Sequence, residues 1–332
     1  MSVDNLLAYS SACYDFDLNN IERVNSGTPE VYKIPKNAQN FYLRLSTSGF
    51  DYVSAEVHWM EYLKNDVCVP ELVISRNGKT IETFQDEGEA YAIYMLRELP
   101  GVLWKKSDYV WNEKTYFNWG KTMGRMHRLT KNYQPPELYK RPRFEDNYNP
   151  LSNYEPLPLV QEKMARIQNE ISALPKDTDS YGLIHQDMHQ LNFLVDGNDI
   201  NVFDFEVCLY GHFALDIGFS LYHAIWWDMP DDCADKNGFT LEIIKNFMSG
   251  YNTENLLSDF WLKKIILFMQ YRQIQAISWH LGYYPSKGFT AVVYNERFGI
   301  YFDYAQYIKN VENDIFFEGC TIGESVFLNS KS

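Results

Sequence analysis

The sequence is short of positive charge, and this shortage excludes two classes of partner. It has 30 Lys and Arg against 44 Asp and Glu, for a formal net charge of −14. A chain of that charge repels nucleic acid and anionic membranes unless a basic patch intervenes. The nearest approach to such a patch is the pair Lys105 and Lys106. We therefore expect neither nucleic acid nor membrane as a partner.

Paired cysteines and long apolar runs are also missing. The five cysteines are scattered and form no Cys-x-x-Cys motif, which argues against a disulfide framework or a zinc site. The first residues lack the basic and apolar regions of a signal peptide. The most apolar stretch, 213–227, is too short and too polar to span a bilayer, and it predicts a buried helix. These features predict a cytoplasmic protein.

Periodicity predicts two regions of different structure, which a length of 332 residues accommodates. Before residue 97 we expect one amphipathic helix, over 52–64, among short strands, with Asn77-Gly78 as a hairpin turn. The predicted strands are 31–34, 41–45, 72–74 and 91–96. Helical patterns dominate the rest, around a compact β segment over 182–207. The prediction is an α+β fold with an antiparallel-sheet N-lobe (1–97) and a mostly helical C-lobe (98–332).

The clearest chemical pattern lies in that β segment. Asp196-Gly197-Asn198 is a strong hairpin signal between two apolar runs, and it places Asn192 opposite residue 203 or 204. We therefore expect Asn192 and Asp204 to lie side by side. Carboxylate and amide oxygens suit Mg²⁺, and Asp187, in the loop that leads to Asn192, can accept a hydrogen bond from a substrate hydroxyl. These residues together predict phosphoryl transfer.

The same residues resemble a known family. His185-x-Asp187-x(4)-Asn192, followed by Asp204-Phe-Glu206, resembles the H-x-D-x(4)-N and D-F-[DE] motifs of the aminoglycoside phosphotransferase and choline kinase family. The resemblance implies a bilobal, protein-kinase-like fold that uses Mg²⁺ and ATP, with GTP as the alternative donor. It assigns Asp187 as the catalytic base and Asn192 and Asp204 as metal ligands. His185 and Glu206 become supporting residues.

The resemblance continues upstream of this motif. Arg44, in Phe-Tyr-Leu-Arg-Leu, resembles the strand cation that touches the nucleotide phosphates, and Glu56 resembles its acidic partner. The segment 94–101 resembles the interlobe hinge, whose backbone receives the adenine. This implies nucleotide contacts at Met95 and Arg97.

Three features depart from the family pattern. The segment 25–32 stands where a phosphate-covering loop belongs, yet it has a single glycine, Gly27. Gln186 replaces the glycine of the family's H-G-D, and Glu206 replaces a frequent Asp. Neither of the last two changes removes a group that the mechanism needs.

Other acids and aromatic residues suggest further roles. Asp216 lies in an apolar run, where a carboxylate is costly unless paired, so we expect it to brace the catalytic loop. Trp226, Trp227 and Asp228 would suit an ammonium group through cation–π and Coulomb attraction, but a core role explains them equally well.

The sequence thus predicts a small-molecule kinase and leaves its acceptor open. An aminoglycoside, a choline-like or homoserine-like compound and a sugar all fit, the acceptor being cationic in some of these cases; a protein acceptor also stays open. One alternative is a kinase-like binding protein without turnover. Another is a metallohydrolase that uses His185, Asp187 and His189, which would share one face of an extended strand. Replacing His189 would inactivate the hydrolase but have a mild effect in the kinase. Oligomeric state is not predicted.

Overall fold

The structure is a computed structural model of the 332-residue chain. It describes residues 3–25, 29–86, 88–103, 113–139, 141–146, 157–283, 292–295, 300–317 and 319–331. Gly27, Lys105 and Lys106 lie outside the described residues. Contacts divide the chain into two compact units. Unit 1 comprises Met1–Gly101, Tyr133–Arg141 and Asn201–Cys208, and unit 2 comprises Val102–Asn132, Pro142–Ile200 and Leu209–Ser332.

Unit 1 is built on an antiparallel sheet with two helices. Its strands run in the order β1-β2-β3-β6-β4, and β5 also pairs with β6. The helices are α1 (Val3–Tyr14) and α2 (Phe50–Leu63). The strands are β1 (Glu22–Asn25), β2 (Glu30–Lys36), β3 (Gln39–Ser46), β4 (Leu72–Val73), β5 (Glu82–Asp86) and β6 (Glu89–Arg97).

Alternation along β3 and β6 sends apolar and charged side chains to opposite faces. Leu43 and Leu45 join Ile93 and other apolar residues in a core cluster that α1 covers. Arg44 and Tyr94, which are cross-strand partners, point to the other face, where both contact Glu56 of α2. The strand periodicity therefore places Arg44 on the α2 side of the sheet, opposite the apolar core cluster.

The predicted helix and strands of this region are confirmed, but three elements were missed. Helix α1 and strands β1 and β5 were not anticipated. Asn77-Gly78 forms a turn, with Gly78 at φ +75°, but it does not join two paired strands as predicted. Instead β4 and β5 lie one after the other along the same strand, β6. The local signal identified the turn correctly but not the strand that follows it.

Unit 2 is mostly helical, as predicted. Its main helices are α3 (Glu113–Thr130), α4 (Pro158–Ser172), α5 (Phe213–Asp228), α6 (Lys236–Tyr251) and α7 (Asp259–Tyr283). Strands β12 (Val292–Asn295) and β13 (Ile300–Asp303) and helices α8 (Tyr304–Glu312) and α9 (Glu324–Leu328) follow and were not predicted. The stretch 213–227 is the buried helix that the sequence predicted. Within the described residues, no helix is long and apolar enough to cross a membrane.

Glycines bring α3 and α6 into backbone contact. A Cβ added at Gly120 would lie 1.9 Å from the carbonyl oxygen of Phe247, and one at Gly250 would lie 1.8 Å from that of Phe117. Neither position accepts a side chain without moving the helices apart. The small size of these glycines is therefore what permits the close packing of α3 and α6.

Short strands carry the segment with the predicted chemistry. In unit 2, β8 (Tyr181–Ile184) pairs with β11 (Leu209–His212), and β7 (Val102–Leu103) pairs with β9 (Phe193–Asp196). Strand β10 (Asp199–Val202) follows the turn at Gly197, whose φ is +61°. The expectation that Asn192 lies beside Asp204 joins residues of different units, and it stays a prediction.

Candidate active site

Unit 1 contains a cluster of one buried arginine and several acids, which we call the Arg44 cluster (Arg44, Glu56, Tyr94, Asp204 and Glu206). One terminal nitrogen of Arg44 lies 2.9 Å from Asp204 Oδ1 and 2.8 Å from Glu206 Oε2. The other lies 4.0 Å from Glu56 Oε1, which also accepts a hydrogen bond from the Tyr94 hydroxyl at 3.0 Å. The structure thus brings four of the predicted site residues together.

Carboxylates outnumber the cation at the centre of this cluster. Burial tends to lower the pKa of Arg44, but the neighbouring Tyr94, Asp204 and Glu56 hold it above its ordinary value, so the guanidinium stays charged. Burial raises the pKa of Glu56, against the attraction of Arg44 and Arg141. Burial and the nearby Asp204 raise the pKa of Glu206 to about 8. Crowded acids of this kind favour the binding of a further cation.

A second arginine, which the sequence analysis did not identify, holds two parts of this cluster. Arg141 is buried and donates to the carbonyl oxygens of Cys208 (2.7 Å), Tyr52 (3.0 Å) and Glu206. Its guanidinium carbon also lies 3.7 Å from the Tyr52 ring centroid. Arg141 therefore ties the first turn of α2 to the segment that follows Asp204.

The predicted hinge residues lie at the end of β6. Met95 is 1% exposed and pairs with Leu43 on one side and Val73 on the other. The backbone N–H of Arg97 donates to the carbonyl of Glu71 at 2.9 Å. The protein thus engages the Arg97 N–H itself, and adenine contacts at Met95 and Arg97 stay predictions.

Unit 2 contains a cluster of opposite character, which we call the Asp187 cluster (Asp187, His189, Asn192, His223 and Arg272). Asp187 Oδ1 accepts a hydrogen bond from Arg272 at 2.9 Å. Its Oδ2 lies 3.2 Å from Asn192 Nδ2 and 3.3 Å from His189 Nε2. One carboxylate is therefore surrounded by donors from the loop and from α7.

Hydrogen bonds determine which nitrogen of His189 faces the carboxylate as a donor. His189 Nδ1 accepts the backbone N–H of Leu191 at 3.2 Å, so the neutral ring carries its proton on Nε2, toward Asp187. Burial tends to raise the pKa of Asp187, but His189, Arg272 and His223 hold it well below its ordinary value. Asp187 is therefore ionised at neutral pH.

Helix α5 fixes the loop that carries Asp187. Asp216 accepts the backbone N–H groups of His185 (3.1 Å) and Gln186 (2.8 Å), and Ser220 donates to the carbonyl of Met188 at 2.6 Å. The two helix residues are four apart and thus share one face. Asp216, which is fully buried, also accepts from His127 Nε2 at 3.1 Å. These are the contacts of a brace, which is the supporting role that we predicted for Asp216.

The brace holds Gln186 in an unusual backbone conformation. Its φ is +71°, in the left-handed region that favours glycine. The glycine that the resembled family has at this position would adopt this conformation without strain. His185 is fully buried beside it, and its Nδ1 accepts the N–H of Asp187 at 3.3 Å. The carboxylate of Asp216 therefore maintains a turn that glutamine alone would disfavour.

Each cluster carries oxygen atoms of the kind that bind a hard divalent cation. In unit 2, Asn192 Nδ2 donates to the backbone carbonyl of Asp187 at 2.8 Å as well as to its carboxylate, so the amide oxygen of Asn192 is not used in these contacts. In unit 1, the Arg44 cluster has a surplus of carboxyl groups, which Mg²⁺ prefers as ligands. The roles of Asn192 and Asp204 as metal ligands stay predictions.

Comparisons with known proteins agree with this chemistry. A family model described as "Phosphotransferase enzyme family" matches residues 20–240, more than half of the chain. The chain belongs to the phosphotransferase enzyme family. It is therefore a kinase with an alcohol group as acceptor, as predicted from the motifs, and its fold is the protein-kinase-like fold of that family.

Individual relatives of this phosphotransferase extend the match. An amicoumacin kinase of Bacillus subtilis (strain 168) is 31% identical over 281 residues, which cover 82% of each chain. A solved amicoumacin kinase, bound to AMP-PNP, Ca²⁺ and the ligand Ami, is 25% identical with a TM-score of 0.82, over 95% of this chain and 94% of that one. A microcompartment-associated aminopropanol kinase shares the fold at 16% identity with a TM-score of 0.70, over 93% and 94% of the two chains.

One residue that contacts the predicted base was not predicted from the sequence. Arg272 lies on α7, 85 positions after Asp187. A signal was present, because Arg272 is the one charged residue between positions 265 and 279, and a charge in a largely buried stretch needs a partner. The pattern could not reveal which partner it had.

Proposed function

We propose that this phosphotransferase transfers the γ-phosphoryl group of ATP, with Mg²⁺, to a hydroxyl group of amicoumacin or a related small molecule. The observation that carries the proposal is the ionised Asp187, held by Arg272, His189 and Asn192 in a loop that α5 braces. The similarity to two amicoumacin kinases supports the choice of acceptor. GTP is the alternative donor.

In the proposed reaction, the Asp187 carboxylate accepts a hydrogen bond from the acceptor hydroxyl and orients its oxygen. That oxygen forms a bond to the γ-phosphorus while the bond between this phosphorus and the β–γ bridging oxygen breaks. The products are ADP and a phosphate monoester, and the hydroxyl proton passes to Asp187. The protein contributes chiefly positioning and charge, since phosphoryl transfer needs little covalent help.

By the family motif, Asn192 and Asp204 would hold the Mg²⁺, which when bound neutralises charge on the phosphates. Arg44 would bind phosphate, with Glu56 as its partner and Glu206 beside it. The backbone of Asp204 is in a left-handed conformation, with φ +67°. If Asp204 holds the Mg²⁺, Asp204→Asn should weaken the Mg²⁺ dependence of nucleotide binding. An unchanged dependence would remove Asp204 as a ligand.

A thermal melt provides the first test. We expect Mg²⁺·ATP at a hundredfold excess over its dissociation constant to raise stability by ~2.7 kcal/mol, since it binds only the native state. Mg²⁺·GTP in parallel identifies the donor. Phosphorylation assays with amicoumacin, aminopropanol, spectinomycin, kanamycin and choline then identify the acceptor. A melt that neither nucleotide shifts would favour the binding protein without turnover.

A further inference from the structure

Arg272 is held in place by three different side chains besides Asp187. Its Nε donates to His223 Nε2 at 2.8 Å, and one terminal nitrogen donates to Gln275 Oε1 at 2.8 Å. Its guanidinium carbon lies 4.7 Å from the centroid of the Phe219 ring. The other terminal nitrogen is the one that reaches Asp187 Oδ1. These three contacts therefore fix the plane of the guanidinium independently of its contact with the carboxylate.

The contacts of Asp187 fix the plane of its carboxylate in turn. Arg272 occupies a lone pair of Oδ1, whereas Asn192 and His189 share Oδ2. A carboxylate offers about four acceptor positions, so one position remains on Oδ1, beside Arg272. Rotation of the carboxylate would break contacts at both oxygens at once.

We propose that Arg272 is a positioning residue for phosphoryl transfer: it fixes the Asp187 carboxylate so that the remaining acceptor position on Oδ1 meets the acceptor hydroxyl. This inference rests on the proposed function of Asp187. The side chain of Arg272 is 18% exposed and comes from α7, whereas His189 and Asn192 belong to the same loop as Asp187. Arg272 thus ties the carboxylate of Asp187 to α7, whereas α5 holds the backbone of the loop.

This geometry depends on the separate nitrogen donors of the planar arginine guanidinium, which form a fork. Three of its nitrogens bond three different acceptors in one plane, which the single ammonium of lysine cannot reproduce. Arg272→Lys should therefore retain the charge and part of the orientation. Arg272→Gln removes the charge and the fork together.

Steady-state kinetics of the full chain tests the role. We expect Arg272→Gln to lower kcat by about 10²-fold, the effect of a small misplacement of a reacting group, with the KM for nucleotide unchanged. Arg272→Lys should recover part of that loss. The matched control is Arg125→Gln on α3, whose arginine bonds Glu254 at 2.6 Å and 3.1 Å, and it should keep the wild-type kcat.

Two outcomes overturn the positioning role. One is a wild-type kcat in both Arg272 variants. The other is a loss that matches the unfolded fraction in a melt and that lysine does not relieve, because a merely structural arginine would behave in that way.

A double-mutant cycle with Arg272→Gln and Asp187→Asn, measured by denaturant unfolding, needs no turnover. We expect the two changes to be coupled by about tenfold in the unfolding equilibrium constant, as contacting residues are. A wild-type protein that phosphorylates no acceptor would count against the proposed function. The cycle would then still test the contact between Arg272 and Asp187. Additive effects in the cycle overturn the inference.

Discussion

The two clusters are electrostatic opposites. In the Arg44 cluster one buried guanidinium contacts three carboxyl groups, whereas in the Asp187 cluster one carboxylate lies among donors. The acids of the first cluster outnumber the cations even when the adjacent Arg141 is counted, and the pKa of Glu206 rises to about 8 in response to burial and Asp204. The second is balanced, and the pKa of Asp187 falls.

We propose that this difference reflects two tasks of a phosphotransferase. A surplus of acids is suited to a metal cation, which supplies the missing positive charge and can in turn hold the anionic phosphates of a nucleotide. A carboxylate that is held by donors and keeps one acceptor position is suited to orienting a neutral hydroxyl. The comparison therefore makes separate predictions for stability and for turnover.

The largest effect should follow from removing the centre of the unit 2 cluster. Asp187→Ala should lower turnover by ~10²–10⁴-fold, the range for loss of a general base, while nucleotide affinity changes little. Turnover and a nucleotide-dependent melt measure the two quantities. Asp179→Ala is a control, because that acid is 86% exposed and pairs with Lys131 on the surface. Near-normal turnover in Asp187→Ala would refute the assigned base.

Removing the centre of the unit 1 cluster should reduce stability. Arg44→Met leaves buried acids without their cation, which should lower the free energy of unfolding by ~3–5 kcal/mol. The paired variant Arg44→Met/Glu56→Gln should recover part of the loss. Denaturant unfolding measures both. Arg23→Met, which breaks an exposed pair with Glu30 at 2.9 Å, should change stability by only ~0–1 kcal/mol. Equal losses in the two single variants would contradict this account.

His189 provides a smaller and more discriminating effect. His189→Ala removes one donor to Asp187, and a hydrogen bond of ~0.5–1.5 kcal/mol corresponds to a loss of turnover of up to ~10-fold. The sequence analysis expected a mild effect in a kinase, and the contact at 3.3 Å gives that effect a cause. Kinetics at several Mg²⁺ concentrations would check it. Complete loss of activity would instead support the metallohydrolase alternative.

The smallest effect concerns backbone strain, which occurs beside Asp187 in unit 2 and at Asp204 in unit 1. Gln186 and Asp204 adopt φ of +71° and +67°. Aspartate tolerates this region better than glutamine does. Gln186→Gly should therefore raise the free energy of unfolding by ~0.5–1 kcal/mol, since relief of the strain exceeds the added chain entropy. Gln186→Ala retains the strain and should show no such gain. A loss of stability in Gln186→Gly would mean that the Gln186 side chain itself stabilises the loop.

Short-range patterns in the sequence determined much of this protein. Alternating apolar residues predicted the strands around Arg44, helical spacing predicted α2 through α7, and the motif from His185 to Glu206 predicted the family. Each of these signals lies within a few tens of residues and depends on local backbone geometry. The strand β5 and the terminal elements were missed because their patterns are short or weakly periodic.

Only the tertiary structure decided which distant charges meet. Arg272 reaches Asp187 from 85 positions away, Arg141 reaches Cys208 from 67 away, and Arg44 reaches Asp204 from 160 away. Family resemblance anticipated Glu56 as a partner of Arg44, but none of these three long-range contacts was anticipated. A charged residue in a buried stretch indicates that a partner exists, because burial of a charge without one is costly. Which partner it finds depends on how the helices and the sheet pack, and no local spacing in the sequence encodes that choice.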